Sequence, residues 1–170
     1  NTDGGRLLIG VKDNGKVTGI DPEEEFHIID GAASLYCQPK ISFTSKVWQE
    51  DHKLVLEIIV EPSALKPHKA KDDENRWRAY VRRDDHTLLA NKILLGIWRL
   101  AKKKIERPQE FNEEQMSLLR LLRDNPKVTI SKMYRMLPLT KNQIDQLLVL
   151  LVTWGVIEMH ITREGTFYQL

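Results

Sequence analysis

The spacing of apolar residues changes along this chain, and that change constrains the fold more than any other feature. In the first half, apolar residues form short runs or alternate with polar ones, which is typical of β-strands. From Leu88 onward they recur every three or four residues, as on one face of a helix. We therefore expect an α+β protein, with a mixed β-sheet domain with packed helices at residues 1–106 and a mainly helical domain at residues 107–170.

The first domain is expected to begin with strands and a helix. The apolar runs at residues 7–11 and 17–20 flank Asn14-Gly15, which predicts a β-hairpin. Asp21 and Pro22 predict the start of a helix, because Asp is a favoured cap and Pro a favoured first residue. Two further strands are predicted at residues 41–48 and 53–60, and a polar loop at residues 62–75.

Residues 76–83 alternate as a strand should and carry the strongest basic pattern of the chain. Trp77, Ala79 and Val81 are expected on the core face. The opposite face carries four candidate nucleic-acid contacts, Arg76, Arg78, Tyr80 and Arg82. The alternative is a solvated face whose arginines pair with Asp72, Asp73 and Glu74. A helix capped by Thr87 is predicted to follow.

The second domain has the element order of a winged helix-turn-helix. Asn112 opens a capped helix, residues 128–130 are extended, and Ser131 is expected to cap a brief helix. Thr140 then caps a longer helix that ends near Gly155, and a hairpin formed by residues 156–161 and 166–170 closes the chain.

In the longer helix, Ile144, Leu147, Leu148 and Leu151 share the core face, so Asn142, Asp145, Gln146 and Val149 are expected to point outward. Asn142 and Gln146 are candidates for reading adenine in the major groove. Four cations are candidates for contacts with the phosphate backbone: Lys132, Arg135, Lys141 and Arg163. The segment carries no net charge and Asp145 would repel phosphate, so protein interaction or homodimerisation stays an alternative.

Charge and composition limit the partners. Residues 1–65 carry a net charge of −5, residues 66–107 of +7 and residues 108–170 of zero, so contact with a polyanion is expected in the middle. The single Cys37 and the scattered histidines give no zinc-binding spacing, and we expect no metal and no cofactor. Because a single Cys37 cannot form an internal disulfide, a cytoplasmic protein is expected. No apolar run is long enough to span a bilayer, so we also expect the protein to be soluble. Since the chain starts at Asn1 rather than Met, we expect a preceding segment to be missing.

Residues 10–17 nearly spell a phosphate-binding loop, but Val17 stands where the motif needs a hydroxyl for magnesium. The Asn-Gly turn also joins two predicted strands, whereas a phosphate-binding loop leads into a helix. ATP hydrolysis is therefore not expected.

Three stretches are distinctive: NTDGGRLLIGVKDNGKVTGI at residues 1–20, EPSALKPH at 61–68 and YVRRDDHTLLANKI at 80–93. Over about residues 1–100 they resemble the Schlafen-type, Alba-2-like DNA-binding domain. In many bacterial members that domain precedes a winged helix, and such proteins are described as predicted transcriptional regulators. The resemblance therefore implies nucleic-acid binding. The family's Gly-Ser-Ser before the Thr is replaced here by Asp84-Asp85-His86, so this turn is more acidic.

Animal Schlafen relatives cleave RNA with two glutamates and an aspartate, and Asp13 is similar in position to that aspartate. The glutamates would lie before Asn1, and Asp next to Asn-Gly is also common turn chemistry, which we favour. His68 matches the family motif but is expected on the polar surface. The leading interpretation is a non-enzymatic DNA-binding regulator. The alternatives are a metal-dependent nuclease and a protein-interaction module.

Overall fold

The computed structural model describes residues 1–170, which form two compact units, Asn1–Arg82 and Arg83–Leu170. We call these the N-terminal unit and the C-terminal unit. Five helices and several small antiparallel sheets make up the chain, so the predicted α+β class is confirmed. None of the helices is long and apolar enough to cross a membrane.

A three-stranded antiparallel sheet forms the centre of the N-terminal unit. Its strands are β1 (Gly5–Ile9), β4 (Lys53–Val60) and β3 (Thr44–Glu50), in the order β1-β4-β3. Central β4 buries four consecutive residues, 55–58, because both faces of this strand are covered. The predicted strands at 41–48 and 53–60 are therefore confirmed within a few residues.

The predicted hairpin around Asn14-Gly15 was wrong in its pairing. The tight turn exists, but its two sides share one isolated bridge, between Val11 and Val17. β1 instead forms five residue pairs with β4. Pairing with this longer apolar strand stabilises β1 better than pairing with the short segment at residues 17–20 could. Gly10 and Gly19 lie in the left-handed region and bend the chain out of the ladder.

Helix α1 (Pro22–Leu35) begins as predicted. The Asp21 carboxylate accepts hydrogen bonds from the backbone N–H groups of Glu23 and Glu24, at 3.0 and 3.3 Å. The helix buries Ala33 and packs on β4.

A second antiparallel sheet of the N-terminal unit runs β2 (Cys37–Gln38), β5 (Lys69–Lys71) and β6 (Trp77–Arg83). The sequence placed residues 62–75 in a loop, but β5 forms inside that range because it finds partners on both sides. In β6, Ala79 and Val81 are buried as predicted. Trp77 is 38% exposed instead of buried, because it starts the strand at the edge of the core.

The C-terminal unit begins with β7 (His86–Leu89) and α2 (Lys92–Leu100). The predicted cap Thr87 was wrong, because residues around it are extended. The helix starts instead after Asn91, whose side chain accepts from the Leu94 N–H at 2.9 Å.

The remaining elements are α3 (Glu113–Asp124), β8 (Val128–Thr129), α4 (Ile130–Met136), α5 (Lys141–Thr153), β9 (Glu158–Thr162) and β10 (Gly165–Gln169). The capping box at Asn112 is formed as predicted. Thr140 caps α5 as predicted, and it also forms a capping box with Gln143. The cap of α4 is Thr129 rather than Ser131, since the Thr129 hydroxyl accepts from the Lys132 N–H. The three strands pair in the order β8-β10-β9.

One apolar core holds the C-terminal unit together. The four predicted core residues of α5, Ile144, Leu147, Leu148 and Leu151, are all buried. They meet Tyr168 of β10 and, unexpectedly, Ile93 of α2, which is 1% exposed. The division into compact units therefore places α2 with the later helices, whereas the sequence set the domain boundary after residue 106.

Candidate functional site

The side chain of Asn1 joins three distant stretches of the N-terminal unit. Its Oδ1 accepts from the His68 backbone N–H at 2.7 Å. Its Nδ2 donates to the carbonyl oxygens of His68 and Tyr80, at 2.7 and 2.8 Å. The three motifs that carry the resemblance, at residues 1–20, 61–68 and 80–93, therefore meet at one place.

Neighbouring residues of the same motifs reinforce this junction. Lys66 Nζ donates to the Thr2 carbonyl at 2.7 Å, and the Arg82 backbone N–H donates to Thr2 Oγ1 at 3.3 Å. Gly4 has a φ of +77°, and a Cβ there would lie 2.3 Å from the Val60 carbonyl oxygen. Only glycine allows the chain to pass so close to β4.

His68 is buried, so its expected place on the polar surface was wrong. Its ring Nδ1 lies 2.9 Å from the Pro39 carbonyl oxygen, and its Nε2 lies 2.7 Å from Ser63 Oγ. A carbonyl can only accept, so Nδ1 carries the proton, and Nε2 accepts from the Ser63 hydroxyl. The ring thus has one fixed tautomer.

A cavity of about 340 Å³ opens beside this histidine. Its polar lining includes Ser63, His68 and Tyr80, and apolar residues such as Ile41 and Val60 supply much of the rest. One signal in the sequence pointed to this site, the Ser and His of EPSALKPH, but it did not show that the two side chains touch.

The predicted basic face of β6 is mostly neutralised. Arg76 Nε lies 2.9 Å from Asp72 Oδ2, and Arg78 Nε lies 3.4 Å from the same oxygen. Arg76 also pairs with Glu74. The backbone N–H of Arg76, bonded to Asp72 at 2.8 Å, is the main reason that the pKa of Asp72 falls to about 2. The structure thus realises the ion-paired alternative for two of the three arginines.

Tyr80 is half-buried and Arg82 is exposed on the same strand. Asp13 is exposed in the turn between Gly10 and Val17. No group of three or more His, Cys, Asp or Glu side chains in the structure is arranged to hold a metal ion.

In the C-terminal unit, α2 packs along the side of α5 that the sequence placed outward. A Cβ on Gly96 of α2 would lie 2.6 Å from Val149 Cγ2, so glycine permits the close approach. The outward placement was therefore wrong for Val149 and for Asp145, which bonds to α2. Asn142 and Gln146 are exposed, and they line a groove of about 510 Å³ between the two helices.

Asp145 does not present a free negative charge. Its carboxylate pairs with Lys92 Nζ at 2.5 Å and accepts from the Tyr134 hydroxyl at 2.5 Å. The hydrogen bond to Asp145 raises the pKa of Lys92, and burial raises that of Tyr134. The expected repulsion of phosphate by Asp145 is therefore offset by a lysine from α2.

The four predicted phosphate contacts differ in their surroundings. Lys132 Nζ donates to Asn125 Oδ1 at 2.6 Å, which holds this side chain against the end of α3. Arg135 and Lys141 are exposed on either side of the turn between α4 and α5, and Arg163 is exposed in the turn between β9 and β10. None of these three forms an ion pair.

The chain belongs to the Schlafen AlbA_2 family, whose sequence profile matches residues 1–91. No curated protein matches it. Among solved structures, it is similar to the DIP2311 protein from Corynebacterium diphtheriae, with 19% identity over 99% of this chain and a TM-score of 0.41. The chain spans 27% of the length of that protein. Membership of the family connects the chain with a nucleic-acid-related function.

Proposed function

We propose that the protein is a DNA-binding regulator of transcription and that its C-terminal unit is a winged helix-turn-helix. The order α3, β8, α4, α5, β9, β10 supports this assignment. In this assignment, α5 is the second helix of the helix-turn-helix and the turn between β9 and β10 is the wing. Family membership supports nucleic acid as the ligand.

The observation that carries the proposal is the set of unpaired cations Arg135, Lys141 and Arg163. The C-terminal unit holds 14 basic and 10 acidic residues, whereas the N-terminal unit holds 12 and 14. An exposed cation without an acidic partner is free to release counterions from a phosphate backbone. Lys141 also stands at the first turn of α5, whose positive end favours an anion.

Phosphate contact, rather than base reading, supplies most of the affinity in this proposal. The side of α5 that would enter a major groove is shared with α2, and Ile93 ties α2 into the core. Removing α2 would expose that buried isoleucine, at a cost of about 2 to 3 kcal/mol. We therefore propose weak sequence preference, with Asn142 and Gln146 touching bases only from the rim of the groove.

The N-terminal unit contributes less binding free energy than the sequence indicated. Arg76 and Arg78 would have to leave Asp72, whose low pKa keeps it charged at neutral pH, before they could neutralise phosphates. We assign no catalytic role to Asp13 in this function.

Fluorescence anisotropy of a labelled duplex, titrated at several salt concentrations, tests the proposal. Three phosphate contacts predict a slope of log affinity against log salt of about −2.7. Replacing Arg135, Lys141 and Arg163 by Ala should bring the slope close to zero. The matched control, Arg76→Ala with Arg78→Ala, should keep it. An unchanged slope in the triple variant, or a slope lost only in the control, would contradict the assignment.

A further inference from the structure

We propose that Ser63 and His68 form a nucleophile and general-base pair that reacts with small carboxylic esters. This activity goes beyond DNA binding and does not depend on it. The two side chains lie in the N-terminal unit and meet at 2.7 Å beside the cavity described above. Nucleophile, base and a third group that orients the base are the three parts that such chemistry requires.

The Pro39 carbonyl is the orienting group. It accepts a hydrogen bond from the Nδ1–H group at 2.9 Å, which leaves the lone pair of Nε2 aimed at the Ser63 hydroxyl. In triads of the Ser-His-Asp type, a carboxylate selects the same tautomer. A carbonyl selects it without adding a charge, so we expect a slower nucleophile than a full triad gives.

The pair is held in place by bonds to the backbone. Asn1 binds both the N–H and the C=O of His68, so the histidine backbone cannot shift without breaking two hydrogen bonds of 2.7 Å. The Leu65 N–H donates to Ser63 Oγ at 3.0 Å. That N–H fixes the position of the serine oxygen and leaves its second lone pair for the attack. Asn1 is thus a positioning residue.

The cavity determines the class of substrate. Its volume of about 340 Å³ suits a small molecule. Ile41, Val60 and Pro62 line the cavity and would receive a short apolar acyl group, and the exposed Lys40 and Lys69 line it too. A short-chain ester with an apolar acyl part therefore fits this site.

In the first step, Ser63 Oγ attacks the ester carbonyl carbon while its proton passes to His68 Nε2. The C–O bond to the leaving alcohol then breaks, and that oxygen takes the proton from Nε2, which leaves an acyl-serine. In the second step, water attacks the acyl carbon and passes a proton to His68 Nε2. The bond between that carbon and Ser63 Oγ then breaks, and Oγ takes the proton from Nε2. The carboxylic acid is released and the serine hydroxyl is restored, so no oxidant or reductant is needed.

Incubation of the whole chain with a fluorophosphonate probe, followed by intact mass spectrometry and peptide mapping, tests the pair. We expect one phosphonyl group on Ser63, with loss of fluoride. Ser63→Ala should abolish labelling, and His68→Gln should slow it about 100-fold or more, the typical value of a general base. The matched control Ser45→Ala removes an exposed serine on β3 and should label at the normal rate.

Absence of labelling, or labelling that persists in Ser63→Ala, would overturn the proposal. Because His68 is buried, His68→Gln can fail to fold, and a second variant covers that case. In a Cys37→Ser background, Ser63→Cys should react with iodoacetamide about 10-fold faster or more than Ser45→Cys, since an adjacent imidazole raises the thiolate fraction. Equal rates would also overturn it.

Discussion

Substitution of Gly96 by Ala tests whether α2 occupies the side of α5. The new Cβ would lie 2.6 Å from Val149 Cγ2, well inside the roughly 3.5 to 4.0 Å of a normal carbon contact. Such overpacking costs about 1 to 3 kcal/mol. Alanine regains about 1 kcal/mol of helix propensity, so we expect a net loss of roughly 0 to 2 kcal/mol in the free energy of unfolding.

Gly31→Ala in α1 is the matched control, because no atom lies within 4 Å of the Cβ position there. It should stabilise the protein by about 0.5 to 1 kcal/mol. Urea unfolding followed by circular dichroism gives both values, and hydrogen exchange of the α2 amides shows which helix is affected. Adding Val149→Ala to Gly96→Ala should relieve the clash, with a coupling energy of about 1 kcal/mol or more. Equal stabilisation by both glycine substitutions would refute the packing of α2 on α5.

Three further predictions follow from local geometry. Thr140→Ala removes the N-cap of α5 and should lower the free energy of unfolding by about 0.5 to 2 kcal/mol in thermal denaturation. Asp72 has a folded pKa of about 2, below its unfolded value of about 3.9, so it stabilises the fold above pH 4 and loses this effect as the pH falls towards 2. The free energies of unfolding of the wild type and of Asp72→Asn, measured at several pH values, should differ less and less as the pH falls from 4 towards 2. Asn142→Ala and Gln146→Ala should each change base discrimination by less than the 1 to 3 kcal/mol of a direct contact, measured by competition between duplexes.

Local signals in the sequence predicted the parts of the fold that depend on a few neighbouring residues. The caps at Asp21, Asn112 and Thr140 bond to groups two or three residues away, so residue type and spacing were enough. The buried stripe of α5 follows in the same way from the period of a helix.

Pairings between distant segments could not be predicted. The pairing of β1 with β4 joins residues about 50 positions apart, and the local Asn-Gly turn favoured a nearer partner. The packing of α2 on α5 depends on Gly96 meeting Val149, which the sequence presents only as a glycine inside a helix. Because of that contact, α2 shares the side of α5 that was expected to face the major groove.

The long-range contacts of the candidate site could not be predicted from the sequence either. The sequence marked EPSALKPH as distinctive, but the bonds from Asn1 to His68 and Tyr80 cross 67 and 79 positions. The basic pattern of β6 was recognised, and the sequence named Asp72 as a partner without deciding between pairing and phosphate contact. Only the position of the turn before β6 shows that Arg76 and Arg78 are held by that carboxylate.

The most direct test of DNA binding is the affinity of the unmodified chain for duplex DNA at 50 and 200 mM salt. Contacts from Arg135, Lys141 and Arg163 predict that affinity falls about 40-fold between the two concentrations, for cognate and random sequences alike. No detectable binding at 50 mM salt, or an affinity that does not change with salt, would contradict the proposed function.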